Sequence, residues 1–156
     1  MFCIQCEQTL VNDKVTGCQF KKGKCGKEAE TADLQDILIY LLQGIAQYAH
    51  RARQLGAVDV TIDRFIPPAF FPTLTNVNFD SDRFVKLIAD AEAIRNQARA
   101  MYLAACEKKG VQPEQLSGPA VFQPAKTLDG LLAQAPEATI KRDDPDVFGL
   151  NCLVLY

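Results

Sequence analysis

Four cysteines lie in the first 25 residues of this 156-residue chain, at Cys3, Cys6, Cys18 and Cys25. They form a C-x2-C-x11-C-x6-C array, and three glycines lie among them, at Gly17, Gly23 and Gly26. Four thiolates can complete the coordination of zinc or of a small iron-sulfur cluster, and glycines let backbone N–H groups turn toward sulfur. The array therefore predicts a metal or cluster site at the start of the chain.

Three kinds of site compete for these cysteines. A disulfide framework needs an oxidising compartment, but the first residues have neither the charged nor the apolar region of a secretory signal. Structural zinc usually has two short cysteine or histidine pairs, and the second half of this array is spread as C-x6-C. An iron-sulfur cluster suits four cysteines on loops, although the spacing differs from common ferredoxin patterns. The single histidine, His50, excludes a Rieske centre, which needs two imidazoles on one iron.

The charge of the chain narrows its possible partners. Five lysines surround the cysteines and would offset a negative cluster, namely Lys14, Lys21, Lys22, Lys24 and Lys27. The formal net charge of -2 argues against a nucleic-acid reader, which needs a concentrated positive surface. No apolar run reaches the about 20 residues that would span a bilayer, so no membrane partner is expected. Without a targeting segment we expect a cytoplasmic protein, whose cysteines stay reduced.

Two long amphipathic helices must follow the cysteine-rich loop. Apolar residues recur at three- and four-residue steps over about 31–56, where Gly56 supplies the stop, and again over 81–109, which Asp80 or Ser81 can cap. His50 falls off the first apolar stripe, so we interpret it as a surface residue, and Cys106 as a packed thiol. The predicted fold class is all-α: the N-terminal portion of a helical-bundle domain preceded by an irregular cluster-binding loop.

The remaining segments have weaker patterns. Residues 65–79 contain three prolines and several aromatics, which predicts an ordered connection that is neither helix nor central strand. A short helix is predicted over 128–135. Asp144 followed by Pro145 predicts the start of a further helix from about 145, cut off at Tyr156. The sequence LNCLVLY at 150–156 repeats the pattern of LQDILIY at 34–40, which indicates two similar helical units.

Several motifs resemble one known family. They are MFCIQCEQT at 1–9, Cys18, KCGK at 24–27, Glu30-Thr31, LQD at 34–36, Phe70-Phe71 and TLTNVNFDS at 73–81. They are similar to the start of the hybrid cluster protein (prismane) family, the hydroxylamine reductases, and most closely to its facultative-bacterial subgroup with the wider cysteine spacing. The resemblance covers the whole chain, but family members are several times longer and continue with the rest of the helical domain and two α/β domains.

The resemblance implies a redox role. Cys3, Cys6, Cys18 and Cys25 would bind a cluster that relays single electrons to a mixed iron-oxygen-sulfur cluster, whose own ligands map onto no residue of this chain. The wider spacing is similar to the [2Fe-2S] subgroup, with [4Fe-4S] as the alternative. Hydroxylamine would be the substrate of the complete protein, with nitric oxide as a related proposal. An NADH-dependent flavin and iron-sulfur reductase would be the electron donor, and the remainder of the family's polypeptide a further partner.

These observations divide the chain into a cluster-binding loop at 1–30 and an incomplete helical-bundle domain at 31–156. Two functions from different classes remain. The first is the N-terminal electron-relay segment of a hydroxylamine reductase, inactive by itself. The alternative is a small structural zinc or partner-binding module with no redox role. Colour separates them, because zinc is colourless and iron-sulfur clusters absorb visible light.

Overall fold

The computed structural model describes residues 3, 11–12, 15–74 and 79–139. Two short strands, β1 (Val11–Asn12) and β2 (Val15–Thr16), pair antiparallel and precede four α-helices. The helices are α1 (Ala29–Gln54), α2 (Val60–Leu74), α3 (Ser81–Lys109) and α4 (Leu128–Ala138), and a short 3-10 helix (Gly118–Ala120) lies between α3 and α4. The all-α fold class predicted from the sequence is confirmed. None of these helices carries an apolar stretch long enough to cross a bilayer.

Helix α1 is the centre of the bundle and contacts each of the other three α-helices. Its apolar stripe is completely buried against α3, and a fully buried leucine or isoleucine stabilises the fold by about 1.5–3 kcal/mol. The stripe consists of Leu34, Ile37, Leu38, Leu41 and Ile45, and it meets Phe84, Ile88, Ala91 and Ala98 of α3. The core of the bundle therefore lies mainly between α1 and α3.

The caps explain where the long helices end. Asp80 accepts a hydrogen bond from the Arg83 N–H at the start of α3, and Gly110 closes the helix in the left-handed conformation. Helix α1 begins at Ala29 and ends at Gln54, and Gly56 follows it with φ of 86°. The helix predicted from about 145 and the repeat at 150–156 lie outside the described residues.

The prediction that residues 65–79 avoid helix is wrong over their first ten residues, because α2 extends to Leu74. Pro67 and Pro68 remove the N–H groups that would bond to the carbonyls of Asp63 and Arg64. All four residues are exposed, so water can satisfy those carbonyls. The opposite face of α2 buries Ile62, Ala69, Pro72 and Thr73. Burial of that face outweighs the free-energy cost of prolines within a helix. The prediction, which used local propensity alone, gave that cost too much weight.

Candidate functional site: the cysteine-rich loop

Cys3 and Cys18 are brought together by an antiparallel bridge. The Cys3 N–H donates to the Cys18 carbonyl at 3.2 Å, and the Cys18 N–H donates to the Cys3 carbonyl at 2.8 Å. Residues paired in this way present their side chains on the same face. Cys18 is buried and Cys3 is half-buried. The fold thus places two of the four predicted ligands side by side, although they are far apart in the sequence.

Cys25 lies in a tight turn whose backbone is held on both sides. The Gly23 N–H donates to the Lys27 carbonyl at 2.8 Å, and the Gly26 N–H donates to the Gly23 carbonyl at 2.9 Å. Gly26 has φ of 89°, a conformation that a residue with a Cβ rarely adopts. A Cβ at Gly23 would lie 3.4 Å from the Cys25 Sγ. A side chain at position 23 would therefore lie in van der Waals contact with this sulfur.

An ion pair joins the two ends of the same turn. Lys22 and Glu28 form an isolated antiparallel bridge, and the Lys22 Nζ lies 2.5 Å from the Glu28 carboxylate. The hydrogen bond and charge of Lys22 lower the pKa of Glu28. Both side chains are largely exposed, so this ion pair contributes little to stability. Its consequence is local, because Glu28 directly precedes α1 and so joins the Cys25 turn to that helix.

Lys27 is the most unusual side chain of the loop. It is only 1% exposed, and its Nζ donates to the Cys3 Sγ at 3.4 Å. A buried ammonium is costly unless an anionic or strongly polar group accompanies it. In the sequence Lys27 is one of five loop lysines, and no local pattern distinguishes it from the others. Of the loop lysines that the structure describes, Lys27 is the one that is buried. The contact places a positive charge on the sulfur of Cys3.

The other cysteines and the histidine lie away from this loop. Cys106 is buried in α3, as predicted for a packed thiol, and His50 is exposed and hydrogen-bonded to Gln54. Cys6 and Cys152 lie outside the described residues. In the part of the chain that the structure covers, no three His, Cys, Asp or Glu side chains are grouped closely enough to hold a metal ion. The four-cysteine ligand set therefore stays a prediction.

The first two turns of α1 hold both ends of the segment that separates α2 from α3. The Gln35 Nε2, completely buried, donates to the Pro72 carbonyl at 3.3 Å, and the Thr31 hydroxyl donates to the Phe79 carbonyl at 3.5 Å. Glu30 accepts a hydrogen bond from the Ser81 hydroxyl. These contacts explain how the helix after the cysteine loop also anchors α2 and α3.

Asp36, on the same part of α1, has a pKa raised from 3.8 to about 7 by burial. A hydrogen bond from Thr139 and the charge of Lys27 lower that pKa, while the nearby Asp33 raises it. Burial raises the pKa of Asp33 as well. Both carboxyls lie at the edge of the apolar stripe of α1, which was the only sequence signal that could have pointed to them.

The raised pKa of Asp36 makes stability pH-dependent. The folded protein holds a proton that the unfolded chain releases above about pH 4, so stability falls as pH rises toward 7 and then levels off. Asp36→Asn removes this loss, and we expect the variant to be more stable than wild type at pH 8 by about 1–3 kcal/mol. Urea denaturation at pH 5 and pH 8 measures the difference, which should shrink at pH 5.

Asp82→Asn is the matched control for this substitution, because Asp82 is exposed in the first turn of α3. Its stability should stay within about 0.5 kcal/mol of wild type at both pH values. An Asp36→Asn variant that follows the wild-type pH dependence throughout would contradict the assignment.

A buried lysine on the sulfur of one of two paired cysteines, ahead of a helical bundle, suits a protein of the all-α class that holds an anionic sulfur centre. The chain belongs to the Prismane/CO dehydrogenase family, whose family model matches residues 1–156. It is 49% identical over 160 aligned residues to a hydroxylamine reductase of Acidithiobacillus ferrooxidans. That alignment covers 100% of this chain and 29% of the reductase.

Proteins of this family bind iron-sulfur clusters, and the described residues fit such a group in two respects. The antiparallel bridge of Cys3 and Cys18 presents two thiols on one face, which suits a partner that binds more than one sulfur. The buried Lys27 ammonium against the Cys3 sulfur suits an anionic one, because thiolates carry a cluster to net negative charge.

Proposed function

We propose that this chain is the electron-relay segment of a hydroxylamine reductase, with residues 1–30 as its cluster-binding loop and residues 31–156 as part of its helical-bundle domain. Cys3, Cys6, Cys18 and Cys25 are the proposed ligands of a [2Fe-2S] cluster. The contact that carries the proposal is the Lys27 Nζ on the Cys3 Sγ, since a buried ammonium in that position would stabilise an anionic sulfur centre. Similarity along the whole chain to a hydroxylamine reductase supports it.

When bound, an all-cysteine iron-sulfur cluster accepts and returns one electron with no bond made or broken. The chain's own residues supply the thiolates, hold two of them adjacent through the Cys3–Cys18 bridge and exclude water at Cys18. Gly23 places no side chain against the Cys25 sulfur, and Gly26 supplies the positive φ that the turn requires. These residues bind and position the group, and none of them binds a substrate.

For the complete protein we propose that hydroxylamine takes up two electrons and two protons and yields ammonia and water, with nitric oxide as a further substrate. The mixed iron-oxygen-sulfur cluster required for that step has no proposed ligand in this chain. We propose an NADH-dependent flavin and iron-sulfur reductase as the electron donor. The loop lysines that are exposed, such as Lys21, Lys22 and Lys24, offer positive charge to an acidic donor surface. A cytoplasmic location would keep the cysteines reduced.

Metal analysis and visible absorption of the anaerobically purified chain test the cluster. A [2Fe-2S] site predicts a coloured protein with about two irons and an equal amount of acid-labile sulfide, and a [4Fe-4S] site predicts about four of each. A colourless chain that binds about one zinc would overturn the proposal in favour of a structural module.

The iron-loaded 156-residue chain is expected to form no ammonia from hydroxylamine. Every iron in an all-cysteine site is filled by thiolate or bridging sulfide, so substrate finds no open coordination position. The site also supplies one electron, whereas the reaction needs two. Ammonia formation with a reduced viologen donor measures this, and the hydroxylamine reductase of Acidithiobacillus ferrooxidans is the positive control. Steady turnover by the short chain, with free iron removed, would show a catalytic site in these residues.

A further inference from the structure

Among the described residues, one positive charge is withdrawn from water and aimed at a predicted ligand. Lys27 is 1% exposed and donates to the Cys3 Sγ at 3.4 Å, whereas Lys21, Lys22 and Lys24 of the same loop are exposed. Exposed charges are screened by water and salt, while a buried charge acts through a medium of much lower dielectric. The lysines of this loop therefore cannot be equivalent in their effect on the sulfur.

A carboxylate is also within the electrostatic reach of Lys27. Asp36 on α1 has its pKa lowered by Lys27, but burial raises that pKa more strongly, to about 7. Asp36 is consequently protonated in much of the population at neutral pH and carries less than a full negative charge. A partly protonated Asp36 weakens the Lys27 charge less than a fully ionised carboxylate would. The contact with Cys3 places the Lys27 ammonium on the Sγ atom of a predicted ligand.

We propose that Lys27 is a positioning residue that sets the reduction potential of the cluster, by holding a fixed, buried positive charge on the Cys3 sulfur. The inference rests on the proposed function and goes beyond it, because it names one lysine as the controlling charge. Reduction adds one electron and one unit of negative charge to the site, and it forms or breaks no bond. A fixed positive charge stabilises the more negative, reduced state, so Lys27 raises the potential.

The test replaces the charge and keeps the shape. Lys27→Met retains a long unbranched side chain without the ammonium, and Lys27→Gln is a second neutral variant in case one folds poorly. Each iron-loaded variant of the 156-residue chain is titrated with dithionite through viologen mediators, which deliver single electrons, and the reduced cluster is followed by EPR. Iron content and circular dichroism establish that the cluster and the helices are present.

At the wild-type midpoint potential we expect the ratio of reduced to oxidised cluster to fall at least about tenfold in the neutral variants. For a one-electron couple this corresponds to a lowering of the potential by about 59 mV. Lys27→Arg keeps the charge and should stay within about twofold of wild type. Lys24→Met is the matched control, since Lys24 is exposed and adjoins Cys25, and it should change the ratio less than about twofold.

Salt provides a second readout. The Lys27→Met shift should persist in about 1 M salt, where exposed charges are screened within about 3 Å, whereas any Lys24→Met shift should disappear. The inference would be overturned if the iron-loaded Lys27→Met and Lys27→Gln variants shifted the reduction potential no more than Lys24→Met does. Loss of the cluster from both neutral variants would also overturn it, because Lys27 would then act on assembly. A wild-type chain with no reducible cluster would instead refute the proposed function itself.

Discussion

Replacing Cys18 by serine is expected to lower the iron content of the chain at least about tenfold. Cys18 is only 5% exposed, and its backbone is fixed by two hydrogen bonds to Cys3, so the fold holds its sulfur in place. A serine hydroxyl does not ionise near neutral pH as a thiol bound to metal does. Serine at Cys3, Cys6 or Cys25 should likewise lose or destabilise the cluster.

Cys106→Ser is the matched control for Cys18→Ser. Cys106 is as deeply buried, at 1% exposure, but it lies near the C-terminal end of α3 rather than in the loop. Its variant should keep the wild-type iron content even if it loses some stability, and Cys152→Ala should keep it too. The ligand set is tested by measuring the iron content of each variant, with circular dichroism to show that the chain is folded. Equal loss of iron from Cys106→Ser and Cys18→Ser would show that the ligand set is wrong.

Gly44→Ala is expected to destabilise the bundle by about 3 kcal/mol. Gly44 lies within α1, where alanine in place of glycine would ordinarily stabilise a helix by about 1 kcal/mol. Here, however, a Cβ would lie 2.3 Å from the Pro119 carbonyl oxygen and 2.8 Å from its carbon. Both atoms belong to the backbone of the 3-10 helix, which must move away to admit the methyl group.

The sign of the change in the free energy of unfolding therefore tests the contact. Urea denaturation of Gly44→Ala is compared with that of Ala46→Leu, a larger addition on the exposed side of the same helix. The control should stay within about 0.5 kcal/mol of wild type. Stabilisation by Gly44→Ala would mean that the 3-10 helix does not lie against α1 at this point.

Displacement of the 3-10 helix would also disturb its neighbours. Phe122, two residues beyond Ala120, is buried and packs edge-to-face on Tyr40 of α1, with ring centroids 5.3 Å apart. The Phe122 carbonyl accepts a hydrogen bond from the buried guanidinium of Arg95 on α3. A shift at Pro119 thus reaches both long helices, which is why the expected effect exceeds that of an ordinary helix substitution.

The long helices were predictable because their signals are local. A 3.6-residue apolar period over α1 and α3, with Asp80 and Gly110 as caps, depends only on neighbours in the sequence. Helix α2 was missed because its prolines are a local penalty, whereas burial of Ile62 and Ala69 depends on other helices. The hairpin of β1 and β2 was missed because two-residue strands leave no period to detect.

By itself the sequence determined the kinds of residue available for chemistry, namely four closely spaced thiols with glycines and lysines among them, and the helical class of the domain after the cysteine-rich loop. Only the tertiary structure decided that Cys3 pairs with Cys18, that Gly44 meets Pro119, and that Lys27 alone among the described loop lysines is buried. The physical reason is that spacing and periodicity are properties of neighbouring residues. Burial and contact depend instead on which distant segments the packed core brings together.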